Sequence, residues 1–327
     1  NHMSKIGITG ASGHIGGVLC KELLSSGYEI GLFVYQSKID LNIPQQMGDI
    51  TNQEDVDKFV SKYDKIIHLA ADISVDNKAK DQMWRTNVEG TKNIADACLK
   101  FNIQRLIHFS SIAAIDQFPL EKALNEKRVL VSNNSHTATE YGKSKAAAER
   151  EILKRIDKGL DVVMVAPTSV LGPMDYKPSV LGQSLLDMYH NSIPAVVKGG
   201  QDWVDVRDIV AGTILALEKG RAGEKYLLGS EFHTIQELAQ MIGDIYNRKV
   251  PTLALPFWIA RLGVPFEQIK SRRSGKPNGF TQEGLTALKY GNTSILHDKA
   301  TKELGYTPRA VKESLKDTLD WLVAHYG

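Results

Sequence analysis

"KIGITGASGHIGG", residues 5–17, sets the frame for the whole chain. Residues 5–9 form a short apolar run of the length of a buried strand. Gly10, Gly13 and Gly16 then lead into a helical pattern over 14–25, with Ile15, Val18, Leu19 and Leu23 on one side. Strand, glycine turn and helix in that order make an anion cradle. Small residues let the backbone close on a pyrophosphate, and the helix N-terminus offers unpaired N–H groups and a partial positive charge. The stretch predicts a dinucleotide site on a parallel sheet.

The next two hundred residues keep that rhythm. YEIGLFVY (28–35), KIIHLA (65–70), RLIHFS (105–110), DVVMVAP (161–167) and KYLLG (225–229) read as strands, most of them preceded by helical patterns. The expected class is α/β: a doubly wound parallel sheet (Rossmann fold) with a smaller, mainly helical substrate lobe. Gly172, Pro173, Pro178, Pro194, Gly199 and Gly200 mark 168–204 as loop-rich. From Thr234 onward helical patterns dominate, at 234–247, 256–270, 281–290 and 310–325. The expected division is a Rossmann domain of residues 3–168, with 205–232 returning to it. The substrate lobe takes 169–204 and 233–327, over the C-terminal edge of the sheet.

Composition points to no particular class of macromolecular partner. A formal net charge of +2 over 327 residues gives no reason to expect nucleic acid or an anionic membrane. The histidines show no HExxH spacing and there is no CxxC, so no metal site is expected. Cys20 and Cys98 sit in apolar helical patterns and read as buried free thiols, which suits a reducing, cytoplasmic setting. No apolar run approaches a membrane span, and no signal peptide is visible. Asn1 and His2, ahead of Met3, read as a remnant outside the fold.

"EYGKSKAAAER" (140–150) carries the chemistry. Residues 137–157 read as a helix, with Thr137 and Glu140 as a capping box. Tyr141 and Lys145, four apart, share a face. A phenol titrates near 10 and relays protons poorly at pH 7, but a neighbouring ammonium favours its ionised form. Alone, the pair also reads as a packed tyrosine and a solvated lysine. Ser110 and Ser111, at the end of the 105–110 strand, add a hydroxyl for a substrate carbonyl.

In these motifs the chain resembles the extended short-chain dehydrogenase/reductases, the NAD-dependent epimerase/dehydratase family, almost end to end. TGASGHIGG (9–17) resembles its TGxxGxxG loop, GDI (48–50) its adenine segment, and HLAA (68–71) its fourth strand's end. NVEGT (87–91) is similar to the following helix, FSS (109–111) to the serine segment, and YGKSK (141–145) to YxxxK. APTSVLGP (166–173), WVDVRDIV (203–210) and LGYTPR (304–309) resemble later landmarks.

The resemblance implies roles. Tyr141 would be the general acid/base. Lys145 would bind the nicotinamide ribose and bias Tyr141, and Ser111 would orient the substrate oxygen. Gly10, Ser12, Gly13, His14, Ile15 and Gly16 would hold the pyrophosphate, and Asp49 and Ile50 the adenine. Leu69, Ala70, Ala71 and Pro167 would line the cofactor, with Asn87 in support. A small-molecule substrate is implied, and a homodimer through the helices at 87–101 and 139–157.

The cofactor's second phosphate is left open. Readers of NAD place an acid at the end of the second strand. Here that end is Phe33, Val34, Tyr35, Gln36, with Lys38 beyond. The missing acid removes repulsion against a 2′-phosphate and favours NADP over NAD. Tyr35 and Lys38 are the candidates there, although Lys38 also reads as a solvated loop charge.

Departures from the family pattern bear on the substrate. Ala166 stands where nucleotide-sugar epimerases and dehydratases usually have arginine, Ser169 where a residue such as Asn is usual, and Gln201 where many have arginine. Diphosphates are held by guanidinium, so this weighs against a sugar nucleotide unless Arg207, Arg272, Arg273 or Lys276 substitutes. KSRRSGK (270–276) reads equally as a solvated basic loop. The apolar segment LPFWIARLGVPFEQI (255–269) is closer in character to the dihydroflavonol-reductase-like and 3β-hydroxysteroid-dehydrogenase-like branches. Phe257, Trp258 and Phe266 read as lobe packing, as a substrate wall, or as a membrane-surface helix. The expectation is an NAD(P)-dependent oxidoreductase acting on a small carbonyl or alcohol. The alternatives are a nucleotide-sugar epimerase or dehydratase with tightly bound NAD, and a non-catalytic dinucleotide sensor.

Overall fold

The computed structural model describes residues 3–73, 79–275 and 281–327. The chain begins β1 (Lys5–Thr9), α1 (His14–Ser25), β2 (Glu29–Val34), β3 (Gln45–Met47), α2 (Gln53–Val60) and β4 (Lys65–His68). It continues through α3 (Lys80–Trp84), a π-helical turn (Arg85–Glu89), α4 (Gly90–Lys100), β5 (Arg105–Phe109) and a 3-10 turn (Ile112–Ala114) to α5 (Glu140–Ile156) and β6 (Val162–Pro167). Next come β7 (Ser169–Leu171), α6 (Val180–Tyr189), β8 (Val196–Val197), β9 (Gly200–Asp205), α7 (Val206–Lys219) and β10 (Lys225–Leu228). The remainder is β11 (Glu231–Thr234), α8 (Ile235–Tyr246), β12 (Ala254–Leu255), α9 (Phe257–Ser274), α10 (Gln282–Tyr290), α11 (Asp298–Leu304) and α12 (Val311–Tyr326).

One sheet holds β3, β2, β1, β4, β5, β6 and β10 in that spatial order, and every pairing is parallel. The expected doubly wound α/β class is what the chain adopts. Alternation along the strands explains why both faces are covered. Ile66, Leu106, Val162 and Met164 point to one face and pack with Val56, Phe59, Ile94 and Ile152 of α2, α4 and α5. Their neighbours Ile67, Ile107, Val163 and Val165 point to the other and meet Leu19, Leu23, Ile209 and Leu217 of α1 and α7. A strand buried on both faces has no polar side to show, hence the near-continuous apolar runs. Ala300, Leu304 and Tyr306, from α11 and just beyond it, join this second core.

A separate core gathers Leu185, Leu186, Trp203, Leu238, Ile242, Leu315 and Leu319 from α6, β9, α8 and α12. Here the structure departs from the loop-rich expectation for 168–204. Leu181, Leu185, Leu186 and Met188 repeat at helical spacing, and the Ser179 hydroxyl accepts the Gly182 N–H at 3.0 Å to cap α6. The flanking prolines and glycines masked that pattern.

Two further boundaries differ. α5 starts at Glu140, capped by Thr139, whose Oγ1 accepts from Gly142 N at 3.0 Å, so the Thr137–Glu140 capping box does not form. α9 continues past the expected 270 and contains Pro265. That ring has no N–H, so the Arg261 carbonyl loses its partner in the helix ladder. Among the described residues no helix is long and apolar enough to cross a membrane.

Candidate active site

The sheet order reverses between β1 and β4, where β1 is flanked by β2 on one side and β4 on the other. Ligands in such folds bind beyond the strand C-termini at that reversal. Gly10, Tyr35, Leu69–Ala71, Ser110–Ser111 and Pro167 all stand at or just past C-terminal strand ends.

Gly10 has φ +80°, and a Cβ there would lie 2.6 Å from Ala70 N; one on Gly16 would lie 2.2 Å from the Gly10 carbonyl oxygen. These two glycines are demanded by the chain's own packing. Gly13 is different. It is exposed, its nearest neighbour to an added Cβ is at 3.7 Å, and it caps α1 with no side-chain hydrogen bond. The first N–H groups of α1 therefore point away from any side-chain cap, with no acid in the first turn. That is the arrangement a pyrophosphate fits. Ser12 is exposed, and His14 and Ile15 are half-buried. The His14 ring meets the Pro173 carbonyl at 2.9 Å, tying the loop to the segment after β7.

At the end of β2, Val34 is buried in the sheet core, while Tyr35 is 61% exposed and Lys38 is also exposed. Asp49 Oδ1 accepts from Thr51 N and Oγ1 at 2.8 and 2.7 Å. Ile50 is buried, and its carbonyl accepts from Asn93.

The structure brings Ser111 to the Tyr141 phenol, and the Lys145 ammonium to the Phe109 carbonyl at the end of the strand before Ser111. Gly142 makes this possible: a Cβ there would sit 2.2 Å from the Ala113 carbonyl oxygen. Its absence lets the first turn of α5 press against the 3-10 turn that follows Ser111. Ser111 lies within hydrogen-bonding reach of the Tyr141 phenol. Burial pushes that phenol up to about 12, and the Ser111 bond opposes the rise. The expected lowering by Lys145 is not what the structure gives. The Lys145 ammonium donates to the Phe109 carbonyl at 2.6 Å. Burial draws it down to about 8, against the pull of the Glu149 carboxylate.

Glu149 was not found from the sequence, although Tyr141, Lys145 and Glu149 at four-residue spacing share one face of α5. It is fully buried, accepts from Ser110 Oγ at 2.6 Å and pairs with Lys225 of β10. Ser110 is thus turned toward the buried Glu149, whereas Ser111 lines a cavity. Asn87 is also buried: its amide donates to Ser144 Oγ at 2.9 Å and the Asp72 carbonyl at 3.0 Å, and accepts from Asp72 N at 2.8 Å. Ser144 in turn donates to the Tyr141 carbonyl at 2.8 Å. The loop after β4 is fastened through Asn87 to the turn that bears Tyr141. His68, held between Thr9 and Thr91 hydroxyls at 2.7 and 2.9 Å, stays neutral, with burial and then Lys145 lowering it to about 3.

In front of Ser111 and Tyr141 lies a cavity of about 240 Å³. Ile112, Ile115, Phe118 and Val131 form one side, and Thr286, Ala287 and Tyr290 of α10 another. Among the described residues no lysine or arginine lines it, and Asp116 and Asp202 do. Ser169 donates to Gln201 within it. The model of the NAD dependent epimerase/dehydratase family matches residues 6–229. The chain belongs to that family.

Among family relatives, sterol demethylase protein B of Methylococcus capsulatus is 30% identical over 96% of this chain and 97% of its own. A putative dihydroflavonol 4-reductase of Synechocystis is 29% identical over 97% of this chain and 94% of its own. Among solved structures, gox2253 has a TM-score of 0.83 at 30% identity, covering 100% and 99% of the two chains. The UDP-glucose 4-epimerase of Thermus thermophilus, in complex with NAD, shares the fold at TM-score 0.75 and 19% identity, over 98% and 99%.

Of the cations considered as replacements for the epimerase arginines, Arg207, Arg272 and Arg273 do not line the cavity. Arg207 is committed to Asp205 and Asp317 at 2.8 and 2.7 Å. Arg272 and Arg273 are exposed at the end of α9. Lys276 lies outside the described residues.

Proposed function

We propose that the chain is a dinucleotide-dependent oxidoreductase acting at a carbonyl or the matching secondary alcohol, with net reduction as its direction. The observation that carries this reading is the Tyr141 phenol beside the Ser111 hydroxyl in the wall of a cavity that Ile112, Ile115, Phe118 and Val131 line together with the acids Asp116 and Asp202, with Lys145 one turn further along α5. A nicotinamide dinucleotide, when bound, supplies or takes up the hydride. Gly10, Ser12, Gly13, His14, Ile15 and Gly16 would hold its phosphates, Asp49 and Ile50 the adenine end, and Leu69, Ala70, Ala71 and Pro167 its flank. Lys145 uses one donor on the Phe109 carbonyl and has others for ribose hydroxyls. Ser111 fixes the substrate oxygen, and Tyr141 gives that oxygen a proton as the carbon gains hydride. A phenol held up near 12 is protonated at neutral pH and so is poised as a donor. Tyr35 and Lys38, with no acid at the end of β2 itself, favour NADP, and NAD, which solved relatives of the same fold bind, remains the other choice.

A relative named for sterol demethylation and another named for dihydroflavonol reduction favour an apolar or aromatic carbonyl substrate. So does the absence of lysine and arginine among the described residues of the cavity wall. A second reading, a nucleotide-sugar epimerase or dehydratase, is favoured by the family description and by epimerases among the solved folds. There Tyr141 would take the proton of a sugar hydroxyl and the hydride would be returned to the same molecule. The same proposal includes a homodimer across α4 and α5, read out by light scattering.

The test is titration with NADH and NADPH followed by a carbonyl panel. A reductase consumes added cofactor stoichiometrically, whereas an epimerase turns over without net consumption. Tyr141→Phe should lower kcat by at least about a thousandfold, within the usual worth of a general acid and its site. The dinucleotide Kd should stay within a few fold. Near-normal turnover in this variant removes Tyr141 from the reaction under either reading.

A further inference from the structure

α9 has two apolar faces. Ala260 and Val264 point inward and pack on Leu285 of α10. Trp258, Leu262, Phe266 and Ile269, spaced four, four and three, lie on the opposite face. They are 66%, 66%, 74% and 49% exposed. Large apolar side chains scattered singly over a surface need no explanation, but four in one stripe do. Arg261, Lys270, Arg272 and Arg273 are exposed around and at the end of that stripe. Glu267, the helix's one acid, lies on the inward half and is half-buried.

A covering partner must therefore be apolar at its centre and anionic at its rim. A second copy of this chain, laid helix to helix, would bring cationic rims together with no carboxylate on the outer face of either helix to answer them. A bilayer containing anionic lipid satisfies both demands, with tryptophan at the interfacial level and arginine and lysine at the phosphates. We propose that the outer face of α9 lies in the headgroup layer of an anionic membrane, with Trp258, Leu262, Phe266 and Ile269 inserted. Pro265 limits the depth: the Arg261 carbonyl it leaves without a ladder partner keeps its hydration only near the headgroups. The inner face of α9 backs α10, whose Thr286, Ala287 and Tyr290 line the cavity. The substrate class is then a carbonyl compound dissolved in the bilayer, a step that rests on the carbonyl reading above, whereas the docking itself does not.

Sedimentation with vesicles of phosphatidylcholine, alone or mixed with phosphatidylglycerol, tests the docking without substrate or cofactor. Binding to the anionic vesicles should be at least about tenfold tighter, and added salt should reverse it. Phe266→Asp should weaken it at least about tenfold with an unchanged melting temperature, because the side chain is exposed. Arg272→Gln with Arg273→Gln should remove the anionic preference. Equal, weak sedimentation with both vesicles, or a Phe266→Asp variant that binds as well as the parent, overturns the proposal. So does a gel-filtration shift to smaller size on Phe266→Asp in the absence of lipid, which would assign the stripe to a second copy. Because Tyr141 plays no part in this assay, its failure leaves the oxidoreductase reading standing. Failure of the carbonyl panel would likewise leave the docking intact.

Discussion

Lys145 is a buried cation whose charge is disfavoured by its surroundings and favoured by Glu149. Its folded value, about 8, lies below the 10.5 of an exposed lysine. Between those two values the unfolded chain binds more protons, so stability rises with pH; below about 8 the desolvation cost is present in full. Relative to Lys145→Met, the ligand-free protein should gain up to about 3 kcal/mol between these limits. Urea midpoints at several pH values measure this, and parallel curves for the two proteins would mean that the ammonium bears no such cost. At this scale the sequence displayed the tyrosine and lysine but left the choice between Ser110 and Ser111 to family likeness. That choice depends on which hydroxyl finds Glu149, a contact between side chains 39 positions apart. The opposed effects on Tyr141 were equally hidden, because burial cannot be read from a spacing.

Among the elements, what the sequence made visible follows burial. β1, β2, β4, β5, β6 and β10 are apolar along their length because both faces of the sheet are covered, and all were anticipated within a residue or two. β3 and β11 are strands of three and four residues with mostly polar side chains. Their pairing is set by what lies beside them, as when Gln45 to Met47 line up with Leu32 to Val34. The helix boundaries slipped where caps competed, as with Thr139 for α5. Substitutions at two glycines should separate binding from turnover at this scale. Gly13→Ala has room in the protein itself. It should keep the melting temperature within a few degrees, consistent with a cost below about 1 kcal/mol, and weaken dinucleotide binding at least about tenfold, as a cradle filled by one methyl loses contacts. Gly142→Ala collides with the Ala113 carbonyl. It should destabilise by about 1–3 kcal/mol and lower kcat while dinucleotide affinity is largely kept. Calorimetry with fluorescence titration distinguishes the two patterns, and equal effects of both variants on binding would refute the division.

Across the whole molecule, α5 is held from both sides. Glu283 of α10 accepts the Glu140 N–H at 3.0 Å, so the element that walls the cavity also supplies an acceptor at the first turn of α5. Glu283→Ala should cost about 0.5–1.5 kcal/mol and raise KM more than it lowers kcat, whereas Glu283→Gln, which retains an oxygen, should recover most of both. Unchanged steady-state parameters in the alanine variant would show that α10 reaches the site without this bond. On the far side of α5 lies the π-helical turn Arg85–Glu89 that presents Asn87. A π turn accommodates one residue more than the regular spiral would. Shortening the chain by one residue there would mend the spiral and swing the Asn87 amide roughly 100° about the axis, away from Ser144. In this protein the better-formed helix would be the poorer machine: a local irregularity aims the group that keeps the loop after β4 and the turn bearing Tyr141 in step.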